Sequence, residues 1–381
     1  MRDMKGIFLW FFCLGFPLMG MAQYGNDWID YSQTYYKFPV VQDGVYRISG
    51  QTLQNAGIPI STIDPRTLRI YGKGEELPLF IPGEGDGQLA PNEFIEFVAF
   101  GNDGFLDSEL YAQAVEQAHP ARSLFTDTLY YFLTWSNSNG LRYINEVDTN
   151  AFAYSSVSHR TETIRQAPGV AQNTYYTGVV YSGGTLNPIM DAGEGFASLT
   201  TGNLNFAPAW NSGPLNGFQS ILYNASAELE LRTVTASNPS AGQPDHVHEL
   251  LDAGGNLLET RTLDGYRQEI YTSSLSFAQF SGGSSPFTFR CNTSLSGLTR
   301  NGITEWRLKL PLQTRFGGRT KVLFSLPPQS GLKRSLFLRD FNPQGGGVRL
   351  YDLSRRRRIP VQPWTSGNYR AVVPGNSQEI D

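Results

Sequence analysis

The sequence predicts an all-β chain: two or three β-sandwich domains, the second jelly-roll-like, with a short helix near the N-terminus. Three observations predict it. Phe (24) and Tyr (19) are abundant and long runs of Ala, Leu, Glu and Lys are missing; aromatic and β-branched residues favour strands. Gly (40) and Pro (22), with Asn and Asp, punctuate the chain at short intervals, as turns do. The 381 residues exceed one ordinary domain.

The first element is a leader. Arg2 and Lys5 precede an apolar run from Gly6 to Gly20, and Gly20-Met21-Ala22 supplies small residues at −3 and −1. That order is a secretory signal peptide over residues 1–22, and the run is shorter than the roughly 20 apolar residues that span a bilayer. Cys13 lies inside the run rather than after a small-residue site, which argues against a lipid anchor. No later segment is apolar enough to cross a membrane. After cleavage Cys291 is the one remaining cysteine, so no internal disulfide is possible. A large exported chain without bridges points to a Gram-negative bacterium. Losing Arg2, Lys5 and Asp3 leaves 28 basic against 33 acidic side chains. That mild acidity argues against general nucleic-acid binding.

Residues 23–149 form a first β-rich domain. Tyr35 to Ile48 predicts a hairpin turning at Asp43-Gly44. Ser49 caps a short helix with Leu53 and Ala56 inward, stopped by Gly57 and Pro59. Thr67–Tyr71 and Glu76–Ile81 pair around Gly72-Lys73-Gly74. Glu93–Phe100 and Tyr130–Trp135 are further strands. The polar stretch 150–172 predicts a linker or crossing segment. Residues 150–327 then give the sandwich: Ala225–Thr235, His246–Leu251, Asn256–Leu263, Phe287–Asn292, Glu305–Leu310 and Lys321–Leu326 are evenly spaced short strands. In residues 328–381, Ser335–Arg339, Val348–Asp352, Ile359–Gln362 and Tyr369–Val373 form a small module or complete the first domain's sheet.

Several segments together carry a family resemblance. Asp27-Trp28-Ile29, Gln33 to Lys37, Asp43 to Ile48, Leu53 to Pro59, Leu68 to Glu76, Asn92 to Phe97, Gly101 to Gly104 and Leu129 to Trp135 resemble the opening of PorU-type, gingipain-like sortases of type IX secretion. Gly193 to Phe196, Thr304 to Trp306, Phe324 to Pro327, Tyr351 to Leu353 and Tyr369 to Pro374 are similar to the family's later β-rich region. The resemblance implies a cell-surface chain of a Bacteroidetes-type bacterium, at the periplasm, outer membrane or cell surface. Full-length relatives are cysteine endopeptidases that remove C-terminal signals. The resemblance sets the start of their peptidase domain near Asp381, and its catalytic His and Cys have no counterpart here. No catalysis is therefore expected of this chain, which would support folding, regulation or docking of the peptidase domain. Its expected partners are that domain or outer-membrane components of the secretion system. A fragment, a split gene and a free-standing form all remain open.

The residues themselves offer few chemical sites. Cys291 lies on the strand-like Phe287–Asn292, and a thiolate nucleophile needs a base beside it. A structural cysteine is the plainer reading. His246 and His248 share one face of a strand by period two and are zinc candidates lacking a third ligand; the plainer reading is a solvent-facing polar strand edge. Asn102, Asp103 and Asp107, around Gly104, are calcium candidates, although Asn-Asp-Gly also suits a tight surface turn. No other cofactor is expected. Arg355 to Arg358 is a positive run, plainly a solvated hairpin loop. Tyr175, Tyr176 and Tyr181 would form a sugar platform only if exposed together. That is the basis of the alternative function, a free-standing surface carbohydrate-binding β-sandwich. No Gly-x-Ser-x-Gly elbow, phosphate loop, dinucleotide fingerprint or His-Glu-x-x-His occurs.

Overall fold

The computed structural model describes residues 26–179, 187–208, 222–239, 241–280, 285–292, 299–329, 331–343 and 347–380. The leader at residues 1–22 and Tyr181 lie outside them. The described residues are mostly β, arranged as several sheets with two short helices. No helix among the described residues is long and apolar enough to cross a membrane.

The N-terminal part builds its core from Ile70, Leu79, Ile95, Phe97, Tyr131 and Leu133, all buried. Leu68–Gly72 turns at Lys73 (φ 52°) and Gly74 (φ 80°) into Glu75–Leu77. Two successive positive φ values match the right-handed twist of a tight hairpin. Ser49 caps the helix Gly50–Asn55, its Oγ accepting from the Thr52 N–H at 3.1 Å. Leu53 faces inward; Ala56, expected beside it, is exposed, and Ile58 takes the inner place.

The hairpin expected at Asp43-Gly44 does not form. Tyr36–Val40 pairs with Leu129–Trp135, whereas Gly44–Ser49 pairs with Phe94–Ala99 in a separate sheet. The Asp43 carboxylate accepts the Gly101 N–H at 3.0 Å. The signal that reads as a turn is a corner where the chain changes sheets.

The sandwich faces two sheets across a large core containing Leu229, Leu231, Tyr271, Phe287, Phe289, Trp306 and Leu308. One layer pairs Arg267–Leu275, Ala227–Thr235, Arg300–Leu312 and Arg160–Gln166 in that order. The other pairs Leu204–Phe206, Phe287–Asn292, His246–Asp252 and Leu257–Leu263. The polar stretch read as a linker thus contains a strand of the larger sheet. It looked polar because two inward residues are charged: Arg160 is fully buried and meets Glu162 at 2.8 Å, and Glu162 takes Arg319 as well. Buried charges occur only when paired in this way.

The tail divides. Leu350–Asp352 pairs with Arg357–Ile359, and this hairpin joins the larger sheet through Glu379–Ile380, which bonds Phe324–Ser325. Its far edge takes Ile144–Asn145 of the N-terminal part in parallel. Arg334–Leu338, Asn368–Val373 and Gln362–Thr365 form a sheet of their own.

Candidate functional site

Five of the segments carrying the family resemblance, Asp43 to Ile48, Asn92 to Phe97, Gly101 to Gly104, Thr304 to Trp306 and Tyr351 to Leu353, meet at two places. The first is a cleft of about 500 Å³ between the N-terminal part and the sandwich. Asp43, Asn102, Asp103, Arg122 and Asp127 line one wall; Arg165, Gln166 and Glu305 line the other. Gly101 sits here because a Cβ would lie 2.6 Å from the Val41 carbonyl oxygen. Glu305, from the central strand Arg300–Leu312, is 3 % exposed. Burial pushes its carboxyl above the usual range, opposed by Arg165, whose Nη1 donates at 3.3 Å.

The oxygens proposed for calcium all lie near this cleft but are spent separately. Asn102 Oδ1 accepts the Gly104 N–H at 3.0 Å. Asp103 pairs with Lys73 at 2.6 Å. Asp107, buried, accepts the Leu124 N–H at 2.7 Å and the Ser123 hydroxyl at 3.2 Å. These bonds tie the oxygens to backbone N–H groups, the Ser123 hydroxyl and Lys73. Gly104 is required at φ 74°, where a Cβ would also press on the Arg122 carbonyl oxygen at 2.6 Å. Backbone geometry accounts for the motif.

The second place is Glu96, fully buried on the strand Phe94–Ala99. Arg47 donates to its Oε2 at 2.7 Å and Arg349 approaches the same oxygen at 3.0 Å. The Tyr351 hydroxyl donates to Oε1, and burial, reinforced by this bond, lifts the phenol well above its ordinary value. Tyr351 also packs on Tyr143, centroids 4.6 Å apart, inside a small core with Val98. One carboxylate therefore gathers segments 255 residues apart in sequence.

His246 and His248 do share a face, as period two requires, but that face is the sandwich interior and both are fully buried. The solvent-facing edge was the wrong alternative. Asn301 Oδ1 lies between the rings, 2.8 Å from His246 Nδ1 and 3.0 Å from His248 Nε2. His248 Nδ1 meets the Tyr271 hydroxyl at 2.9 Å, and His246 Nε2 stands 3.1 Å from Asp245. Burial, with His246 and Arg261 nearby, holds the His248 imidazole down to about 4. Among the described residues, no group of three or more His, Cys, Asp or Glu side chains is placed to hold a metal.

Sequence reasoning missed one neighbour. His248 lies directly across from Cys291 on the paired strand. Both nitrogens of that ring are engaged elsewhere, and burial alone pushes the thiol well up. Burial favours the neutral thiol and the neutral ring, the reverse of an activated pair. Only strand register, invisible in one sequence, brings these two together.

Of the remaining candidates, the arginine run is a solvated hairpin loop only in its first half: Arg355 and Arg356 are exposed in the turn, whereas Arg357 and Arg358 lie half-buried on the strand Arg357–Ile359, Arg357 pairing with Glu146 at 3.2 Å and Arg358 covering the Phe80 ring. Tyr176 is buried and Tyr175 packs edge-on against Phe196. These two do not make a sugar platform.

No family model and no curated protein matches this chain. Among solved structures it is similar to the dimeric latent PorU of Porphyromonas gingivalis, with 13 % identity and a TM-score of 0.49, over 91 % of this chain. The chain spans 31 % of the length of that protein. It is also similar to a Bacteroides ovatus mixed-linkage glucan utilization protein, SGBP-B, bound to a heptasaccharide: 8 % identity, TM-score 0.16, over 70 % of this chain and 71 % of that one. An isomalto-dextranase of Arthrobacter globiformis complexed with panose gives 7 % identity and a TM-score of 0.16, over 72 % of this chain and 34 % of that one.

Proposed function

We propose that this chain is the non-catalytic β-rich region of a type IX secretion sortase, exported to the outer membrane or cell surface, where it holds and docks a gingipain-like cysteine peptidase domain. The observation that carries this reading is the node at Glu96. Three segments quoted for the family resemblance, Asp43 to Ile48, Asn92 to Phe97 and Tyr351 to Leu353, supply Arg47, Glu96 and Tyr351 to one buried contact. Residues that resemble a family at scattered positions acquire a common physical purpose there: they lock the N-terminal part to the tail. A buried tie of this kind suits a scaffold. The buried, unactivated Cys291 is consistent with chemistry residing in another domain.

The test is reconstitution. The chain and the gingipain-like peptidase domain encoded in the same genome would be purified separately and mixed. A stoichiometric complex by size exclusion with light scattering, weakened in Glu96→Gln, supports the scaffold reading. Absence of any complex, with both parts folded, rejects it.

A further inference from the structure

The tail sheet presents an exposed aromatic cluster. Phe337 lies opposite Arg370, and Arg370 opposite Gln362, so these three form a cross-strand row. The register slips between Pro363 and Thr365; a bulge of this kind re-aims a side chain. The Trp364 ring lies 5.2 Å from Phe337 between centroids. Phe152, from the turn Ala151–Ala153, closes the third side at 6.1 Å from Phe337 and 6.4 Å from Trp364. Phe152 is 63 % exposed and Trp364 44 %. The three rings are tilted at 45° to 76° to one another, so their faces point in different directions.

Polar groups stand beside the rings. The Arg370 guanidinium lies 4.5 Å over the Phe152 ring, and its Nε donates to Gln362 Oε1 at 3.1 Å. Among the described residues no carboxylate pairs with Arg370. Its terminal nitrogens and the Gln362 amide N–H groups are donors next to apolar ring faces.

We propose that this cluster binds an acidic sugar, one uronate pyranose of a glycan. A pyranose has an apolar C–H face and a hydroxyl rim; the rings take the face and the donors take the rim. The unpaired guanidinium matches a carboxylate, which it binds as a two-pronged fork. Size favours a small ligand: three partly exposed rings fall well short of the roughly 800 Å² per partner of a stable protein interface. The site lies outside the sandwich where the sequence sought a sugar platform, and it stands whether or not the scaffold reading does.

Calorimetric titration of the full chain with tetragalacturonate, and with cellotetraose as the neutral control, tests it. Saturable binding of the uronate, at least about tenfold tighter than the neutral sugar, is expected. Trp364→Ala should abolish it at unchanged melting temperature, because the ring is half-exposed. Arg370→Gln should erase the preference for the acid while leaving weak binding to both sugars. No saccharide binding, or equal binding by Trp364→Ala, overturns the site. Equal affinity for both sugars in the unmodified chain overturns the acidic assignment. Self-association that Trp364→Ala disrupts, without sugar binding, would make the face a contact between copies and also overturns it.

Discussion

His119 and His248 are buried imidazoles whose titration burial holds down to about 4, against 6.5 for a free ring. The folded chain therefore binds fewer protons than the unfolded chain between those values. The stability they confer is whole above about pH 6.5 and is lost as the pH falls toward 4, on the order of 3 kcal/mol per ring over the full interval. Glu305 works in the opposite direction, since its raised carboxyl takes up a proton in the fold as the solution is acidified. Urea midpoints should fall between pH 7 and 4.5, and His248→Gln should flatten that fall; equal slopes would assign the acid sensitivity to other groups. Cys291, 3 % exposed with its thiol pushed up, should resist an aromatic disulfide reagent in native buffer and react at once in denaturant. Fast native labelling would contradict the buried placement. The sequence showed that His246 and His248 share a face, because period two is local. Which face points inward depends on a partner sheet, and that a single sequence does not encode visibly.

At the level of elements, what was legible followed from local chemistry. Ser49 before a short helix and Gly72-Lys73-Gly74 between two strands each announce their own backbone geometry. The failures have a common cause in long-range pairing. Asp43-Gly44 resembles a hairpin turn, yet its flanking strands find better partners 45 to 97 residues away. Arg160–Gln166 resembles a linker because it carries charges inward, Arg160 pairing with Glu162 and Glu162 with Arg319. The segment from Asn102 to Asp107 resembles a calcium loop because the same residue types also suit turns. Its oxygens are engaged by backbone N–H groups, the Ser123 hydroxyl and Lys73, so neither added calcium nor a chelator should move the melting temperature by more than about 1 °C. A rise of several degrees with calcium would indicate a site through ligand linkage. The strand Phe94–Ala99 depends on Glu96: its two arginine partners are partly exposed and can return to water, but the buried Tyr351 hydroxyl loses its acceptor, which costs about 1–3 kcal/mol. Glu96→Ala should lower stability by that amount in urea titration, and a loss under about 1 kcal/mol would show that the cluster is solvated.

Across the whole molecule, three large cores are tied by contacts that are few but buried. Arg232 of the sandwich donates to the Val115 and Gln117 carbonyl oxygens, and the Tyr111 hydroxyl donates to the Glu194 carbonyl. Tyr351, Tyr143 and Val98 form a fourth, small core in which the tail meets the N-terminal part. Chain order says nothing of this: the first and last parts of the sequence touch each other, while the sandwich is inserted between them. Two elements far apart in the chain should therefore open together. In hydrogen exchange, Ile95–Ala99 and Leu350–Asp352 should share one protection level, since each buries the other's side chains. Tyr351→Ala removes the ring on Tyr143 and the hydroxyl on Glu96 at once. It should speed exchange in both segments by a similar factor and leave His246–Asp252, deep in the sandwich, unchanged. Loss of protection in Leu350–Asp352 alone would mean that the N-terminal part is stable without the tail. Cooperative opening belongs to segments whose buried contacts are mutual, and here the mutual contact is one carboxylate and one tyrosine.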